Sequence, residues 1–170
     1  RVDTGEVLWR TRFVEDWGAE VPQWGFASAP IVDGDRVITL VGGTPNAKVV
    51  AFDRATGDEV WRALSSVEAG AGVAQPTIIE AGGVRQLIIW HPLAVSSLDP
   101  ETGEVYWEQP FEIDYDMTVA TPVRRGSDLF LTTFYNGPMM LGLDNDRPDA
   151  EMVWRGSSNS EILTDGLHAV

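Results

Sequence analysis

Two stretches of the chain, DRATGDEVW (53–61) and DPETGEVYW (99–107), write the same pattern 46 residues apart. Each has an aspartate, a Thr-Gly pair starting three residues later, and a tryptophan eight residues after the aspartate. Glycine supplies the positive φ of a bulged hairpin turn, and Asp and Thr side chains can bond the amides of the turn. The pattern therefore predicts a tight hairpin whose second strand carries a tryptophan.

The pattern belongs to a longer internal repeat, with blocks at 27–63, 73–110 and 119–156. Markers recur at intervals of 45 to 47 residues: Pro30, Pro76 and Pro122; Asp53, Asp99 and Asp144; Trp61, Trp107 and Trp154. Each block contains four short apolar runs divided by turn residues, and no segment sustains helical spacing over 11 residues. Four strands per unit with a period in the mid-forties is typical of β-propeller blades. The predicted fold is all-β, a propeller segment of four-stranded antiparallel blades.

The repeated turn and tryptophan are predicted to serve stability rather than chemistry. On the outermost strand, each tryptophan would bury roughly 150–250 Å² against the neighbouring blade. The residues assigned to this structural element are Gly5, Trp9, Asp53, Thr56, Gly57, Trp61, Asp99, Thr102, Gly103, Trp107, Asp144 and Trp154.

Composition limits the classes of partner and of chemistry. The formal net charge of −14 would repel phosphate backbones, so nucleic-acid binding is not expected. The chain has no cysteine, which excludes disulfides, thiolate metal ligands and cysteine nucleophiles. Its apolar runs are far shorter than the roughly 18 residues of a membrane helix, so membrane insertion is not expected either.

The repeat resembles the tryptophan-docking repeat of the pyrroloquinoline-quinone-like (PQQ-like) β-propeller family. Both 51–61 and 97–107 obey its pattern, and the stretch WGFASAPIVDGDRVI (24–38) is similar to uncharacterised extracytoplasmic members. The family also includes quinoprotein alcohol dehydrogenases and the propeller lipoprotein of the outer-membrane β-barrel assembly machinery. The resemblance implies a periplasmic or extracellular location and a parent ring of seven or eight blades.

Two departures from the family pattern stand out. In the third block Trp154 lies ten positions after Asp144 instead of eight, and there is no Thr-Gly; Arg1 occupies the position of the turn aspartate in the first element. The predicted organisation is the last strand of a preceding blade (1–10), a connector (11–26), three blades (27–63, 73–110 and 119–156) and a connector to a missing blade (157–170). About three blades of the ring would be present, and their open edges favour self-association.

Ligands of propellers usually bind at the mouth of the central channel, where interblade connectors and second-to-third strand loops gather. The principal candidates there are Trp24, His91, Asp114, Tyr115, Asp116 and Asn136, together with Glu68, Tyr135 and His168. The stretch FEIDYD (111–116) could hold a cation or a sugar, or could be a solvated connector whose tyrosine packs on the rim. The two histidines could be ligands or bases, or hydrogen-bonded loop residues.

One further acidic cluster is a candidate calcium site: Asp144, Asp146, Asp149 and Glu151. Its spacing fails the EF-hand pattern, which needs Gly at the sixth position and Glu at the twelfth. A variant hairpin turn is the preferred interpretation.

The leading functional interpretation is a non-catalytic scaffold or binding module, without a cofactor, that takes a protein partner or small ligand at the channel mouth. The alternative is part of a PQQ- and calcium-dependent dehydrogenase of alcohols or sugars. The resemblance implies that such enzymes hold PQQ with calcium, a stacked tryptophan, a catalytic aspartate and, commonly, a vicinal disulfide. No motif in this chain matches that set, so no residue is given a catalytic or metal-binding role.

Overall fold

The computed structural model of the chain describes residues 1 and 3–157, which form three four-stranded antiparallel sheets. The first sheet contains β1 (Ile31–Asp33), β2 (Arg36–Gly43), β3 (Ala47–Asp53) and β4 (Glu59–Ala63). The second contains β5 (Thr77–Ala81), β6 (Val84–His91), β7 (Ala94–Leu98) and β8 (Val105–Pro110). The third contains β9 (Val123–Arg125), β10 (Asp128–Thr133), β11 (Gly137–Leu143) and β12 (Ala150–Arg155).

Within each sheet, consecutive strands are neighbours, so each sheet is a simple meander. The predicted all-β fold with four-stranded antiparallel blades is confirmed. Outside the sheets lie a short helix, α1 (Phe13–Trp17), and a single 3-10 turn (Asp114–Asp116). Neither helix in the described part of the chain approaches the length and apolar character that a membrane crossing requires.

The Thr-Gly turns of the first two sheets have the geometry that their sequence predicts. Oδ1 of Asp53 accepts hydrogen bonds from the amides of Ala55 and Thr56, both at 2.8 Å, and Gly57 has a φ of 80°. In the next sheet, Asp99 and Gly103 repeat this arrangement, with a φ of 75° at the glycine. In all three sheets the register shifts at the residue before the tryptophan of the fourth strand (Val60, Tyr106 and Val153), which indicates a bulge at the same place in each blade.

Tryptophan and glycine join successive blades. The Trp61 ring lies against Gly103, and its Nε1 donates to the carbonyl of Pro100 at 3.2 Å. Trp9 stands in the same way against Gly57 of the first sheet and donates to the carbonyl of Arg54 at 2.9 Å. These contacts connect each tryptophan to the turn of the following blade.

The junction between the second and third sheets is built differently. Nε1 of Trp107 donates at 2.8 Å to Oε1 of Gln86, which belongs to its own sheet. Gln109 crosses the junction instead, donating to the carbonyl of Ala150 at 2.6 Å. The longer third turn reaches back so far that a Cβ on Gly82 would collide with the backbone of Arg147.

The third turn keeps the aspartate even though it lacks Thr-Gly. Oδ1 of Asp144 accepts from the amides of Asp146 and Arg147, at 2.8 and 3.3 Å. These backbone amides, the first of them most, lower the pKa of Asp144. The acidic cluster therefore forms a hairpin turn in which the Asp144 carboxylate accepts hydrogen bonds from the amides of the turn.

The core consists of apolar layers between the sheets. One layer, containing Leu87 and Ile89, joins the first and second sheets, and another, containing Trp90 and Leu131, joins the second and third. The outer face of the first sheet is covered by Trp9, Phe13 and Trp17 rather than by a further sheet. The connector predicted for 11–26 therefore contributes a helix that closes this face.

The described residues among 1–10 form no strand, although a strand was predicted there. A strand is defined by its hydrogen-bonded ladder, and no described strand lies beside this segment. Its turn is nevertheless formed: the amide of Gly5 donates to the carbonyl of Arg1 at 2.9 Å, and Gly5 has a φ of 71°. Of the connector predicted for 157–170, only Ser157 is described, so His168 lies outside the described residues.

Candidate functional site

All interblade connectors leave the sheets on one side of the molecule. In an antiparallel meander, the turn between the second and third strands and the connector after the fourth strand emerge at the same end. This side, called the connector face, is formed by residues 11–30, 44–46, 64–76, 92–93, 111–122 and 134–136. The Thr-Gly turns lie at the opposite end.

The connector face contains a groove of about 460 Å³. It is lined by residues 20–24, 26–28, 40–42 and 66–73, and by Tyr115 and Asp116. This space is called the connector groove. Four of the residues predicted at the channel mouth, Trp24, Glu68, Tyr115 and Asp116, come together around it.

Trp24 stands at the edge of the groove on a compact turn. The amide of Gly25 donates to the carbonyl of Pro22 at 2.9 Å, and Gly25 has a φ of 76°. The segment is tied to the next connector because Ser28 Oγ donates to the carbonyl of Ala74 at 2.9 Å. The indole itself is 66% exposed, so this turn holds a large aromatic side chain in solvent.

Tyr115 and Asp116 occupy a strained stretch of backbone. Their φ values are 59° and 57°, the left-handed region that side chains other than glycine rarely adopt. Buried Phe111 and Ile113 anchor the chain before them, and their amides donate to the carbonyls at positions 93 and 92. The strain is thus held in place by packing on one side of the groove.

Asp114 and Asn136 are joined by two reciprocal hydrogen bonds. The amide of Asp114 donates to Oδ1 of Asn136 at 3.0 Å, and Nδ2 of Asn136 donates back to Oδ2 of Asp114 at 3.2 Å. The residues next to them in sequence, Tyr115 and Tyr135, are also in contact, with ring centroids 5.1 Å apart. Asp114 and Asn136, both predicted site residues, therefore position the connector, and neither lines the groove.

His91 does not lie in a loop on the connector face. It is the last residue of β6, it is 4% exposed, and its side chain contacts Lys48 of the first sheet. The sequence analysis assigned His91 to the loop between the second and third strands, but the second strand continues through His91 before the chain turns. A ligand at the mouth cannot reach a side chain buried in this way.

Instead, His91 lies in a polar chain between the first and second sheets. Nζ of Lys48 is 3.2 Å from Nδ1 of His91, and Nε2 of His91 is 3.1 Å from Oγ of Ser96. Ser96 in turn donates to Oε2 of Glu108 at 2.8 Å. A neutral imidazole protonated on Nε2 satisfies every contact of this chain.

Burial changes the ionisation of both bases in the polar chain. Burial, with a smaller effect of the Lys48 charge, lowers the pKa of His91 to about 3. Burial also lowers the pKa of Lys48 to about 8, against the opposing attraction of Glu108, Asp116 and Glu68. Two of these carboxylates line the connector groove, so the groove and the buried lysine are electrostatically connected.

Sequence reasoning missed Lys48, Ser96 and Glu108. One signal was available for Lys48, because it is the single charge inside the apolar run AKVVAF (47–52). The positions that correspond to Lys48 and His91 at the next junction are Ala94 and Leu131, both apolar and buried. The polar chain is therefore a feature of the first junction and not of the repeat.

The alternative interpretation requires residues that hold calcium and PQQ. Residues 1 and 3–157 hold no group of three or more His, Asp or Glu side chains arranged for a metal ion. The chain also has no cysteine for a vicinal disulfide. These residues do not fit the cofactor set, and none of them is assigned to it.

A family model described as "Outer membrane protein assembly factor BamB" matches residues 1–169 of the chain. The chain belongs to this family of PQQ-like β-propellers. The predicted family is thereby confirmed.

Two individual proteins illustrate the relationship. The chain is 32% identical over 90 residues to a quinoprotein ethanol dehydrogenase of Pseudomonas aeruginosa, a match that covers 46% of this chain and 14% of that protein. The crystal structure of BamB from Moraxella catarrhalis is 19% identical, with a TM-score of 0.49, over 72% of this chain and 35% of that one. The chain thus spans a small part of the length of the curated relative.

Proposed function

We propose that this propeller segment is a non-catalytic binding module that engages a protein partner through its connector face. The observation that carries the proposal is a group of exposed aromatic side chains. Tyr115, Tyr135 and Phe134 contact ring to ring, with centroid distances of 5.1 and 5.0 Å, and they are 69%, 47% and 44% exposed. Trp24, 66% exposed, shares the connector groove with Tyr115.

Exposing these aromatic rings to water is unfavourable unless a partner covers them. Aromatic side chains are enriched in protein interfaces and supply most of their binding hot spots, whereas contiguous apolar surface is uncommon on monomers. The strained backbone at Tyr115 and Asp116 adds to this cost, since left-handed φ values at such residues cluster at functional sites. We expect the partner to cover both.

The family supports the same direction. Its description names an assembly factor for outer membrane proteins, which acts through other proteins. By extension, we place the chain in the periplasm or outside the cell. The tryptophan–glycine contacts at the opposite end would maintain the scaffold that presents the connector face.

Site-specific photo-crosslinking in the source cells tests the proposal. A benzophenone side chain would replace Val67, which lines the groove and is 69% exposed, or Val105, which is 43% exposed on an outer strand. We expect one discrete protein adduct from position 67, its loss in the Trp24→Ala/Tyr115→Ala variant, and no such adduct from position 105. Equal adducts from both positions, or an adduct at 67 that ignores the aromatic substitutions, would reject the proposal.

The second candidate is part of a PQQ-dependent dehydrogenase, favoured by the match to the ethanol dehydrogenase. Titration of PQQ with calcium, followed by tryptophan fluorescence, tests it directly. Saturable quenching that is reversed by a chelator would favour the dehydrogenase. Absence of quenching in the longest available form of the protein would remove it.

A further inference from the structure

We propose that the connector groove binds an arginine side chain presented by an extended segment of the partner protein. This inference rests on the proposed function, because it names the chemistry by which the same face recognises its partner. It predicts a partner segment with arginine flanked by small or apolar residues.

The charge of the groove is the first argument. Among the described residues that line it, the carboxylates are Glu20, Glu68 and Asp116, and none is Lys or Arg. None of these three carboxylates forms a hydrogen bond or ion pair through its side chain with another described residue. The described lining of the groove therefore carries carboxylates and no cationic side chain, on a chain whose net charge is −14. A cationic group is the complement of such a surface.

The aromatic side chains distinguish arginine from other cations. Trp24 and Tyr115 expose their rings at the edge of the groove, and a guanidinium stacks on such rings. The planar guanidinium can also donate two parallel hydrogen bonds to one carboxylate, which the ammonium of lysine cannot do. The volume of about 460 Å³ falls within the range of about 300–1,000 Å³ that is usual for small-ligand sites.

The wall of the groove suits an extended peptide backbone. Residues 70–72 read Gly-Ala-Gly, so no bulky side chain stands between an incoming peptide and this segment.

The negative charges of the groove also act on a buried lysine beneath it. Glu68 and Asp116 favour the charged form of buried Lys48, whose Nζ donates to His91. In the absence of a partner, this internal cation therefore partly balances the carboxylates. A guanidinium in the groove would supply the rest of that balance directly.

Isothermal titration with matched peptides tests the inference. The probes are acetyl-Gly-Val-Arg-Val-Gly-amide, its lysine analogue, and its citrulline analogue, which keeps the shape of arginine without the charge. The variant Glu68→Gln/Asp116→Asn removes two groove carboxylates. The control Glu80→Gln/Asp128→Asn removes two exposed carboxylates at the opposite end, with the same change of net charge.

We expect saturable binding of the arginine peptide, binding of the citrulline peptide that is at least about tenfold weaker, and intermediate binding of the lysine peptide. The groove variant should lose about tenfold or more in affinity, and the control less than about twofold. Equal losses in the two variants would show long-range attraction alone and overturn the inference, as would equal affinity for arginine and citrulline or no binding at millimolar peptide.

The two proposals can fail separately. If the crosslink from position 67 needs Trp24 and Tyr115 but is unchanged by Glu68→Gln/Asp116→Asn, the binding module stands and the arginine chemistry is wrong. If the peptides discriminate as expected but position 67 gives no discrete adduct, the groove chemistry stands and the proposed protein-binding function fails.

Discussion

Trp61 lies so close to Gly103 of the next blade that a Cβ added to the glycine would stand 2.6 Å from Cε3 of the indole ring. Gly103 also has a φ of 75°, so its side-chain hydrogen meets two requirements at once. One is the left-handed turn conformation, and the other is the docking surface for a tryptophan. The Thr-Gly turn and the distant tryptophan therefore form one structural unit across two blades.

Comparison with a second glycine separates the two requirements. Gly83 has a φ of 74°, but nothing lies within 4 Å of a Cβ built on it. We expect Gly83→Ala to cost about 1 kcal/mol, the conformational penalty alone. Gly103→Ala should cost about 1–3 kcal/mol more, because the indole must move. Urea denaturation of the two variants measures the difference, and equal costs would show that the tryptophan contact contributes nothing.

The tryptophans provide a second matched pair. Trp61 is 7% exposed and docked, whereas Trp154 is 39% exposed, with no Thr-Gly turn beneath it among the described residues. Trp61→Ala should therefore lower the free energy of unfolding by about 3–5 kcal/mol, as a large-to-small core change. Trp154→Ala should lower it by less than about 1.5 kcal/mol. Chemical denaturation of the 170-residue chain decides, and a similar loss at both sites would contradict the docking model.

The blades could be predicted from the sequence because their determinants are local. The aspartate, glycine and tryptophan of the first two hairpins lie within nine residues, and the turn brings them to fixed places. The junction at Trp107 could not be predicted in this way. Its acceptor, Gln86, lies on another strand of the same sheet, and only packing brings the two together.

The candidate site was predictable in part for a similar reason. Trp24, Tyr115 and Asp116 meet because connectors of successive blades share one face, which follows from topology. His91 was misplaced because a residue at the end of a strand and one at the start of a loop look alike in sequence. Whether such a residue points inward depends on the register of β6 and β7, which no local pattern reports.

Gln86 allows a test of the atypical junction. Its Oε1 accepts from both Trp107 Nε1 and Ser97 Oγ, at 2.8 and 2.7 Å, and the residue is fully buried. Gln86→Leu would leave both donors unpaired, so we expect a loss of about 2–4 kcal/mol in the free energy of unfolding. Gln109→Leu, which leaves a single carbonyl unpaired, should cost about 1–2 kcal/mol. The reverse order of the two losses, measured in urea, would contradict this assignment.

The polar chain between the first and second sheets gives the folded protein a specific pH dependence. The pKa of His91 falls from 6.5 to about 3 on folding, so between these values the unfolded chain binds more protons than the folded protein. Stability from neutral His91 is therefore fully present above about pH 6.5 and is lost as pH falls toward 3. Lys48 has the same sign at higher pH: its pKa falls from 10.5 to about 8, so stability rises as pH increases between these values.

Replacing the pair by apolar side chains should remove both slopes. We expect Lys48→Met/His91→Leu to fold, because the equivalent positions at the next junction, Ala94 and Leu131, are apolar, and because exchanging a buried polar pair for apolar residues is often neutral or stabilising. The wild-type free energy of unfolding should rise with pH more steeply than that of the variant, by up to about 1.4 kcal/mol per pH unit, between pH 5 and 6.5 and again between pH 8 and 10. Urea titrations at half-unit intervals measure this difference. Parallel pH profiles for the two proteins would mean that neither group changes its protonation on folding, and that the polar chain serves only to fix the contact between the blades.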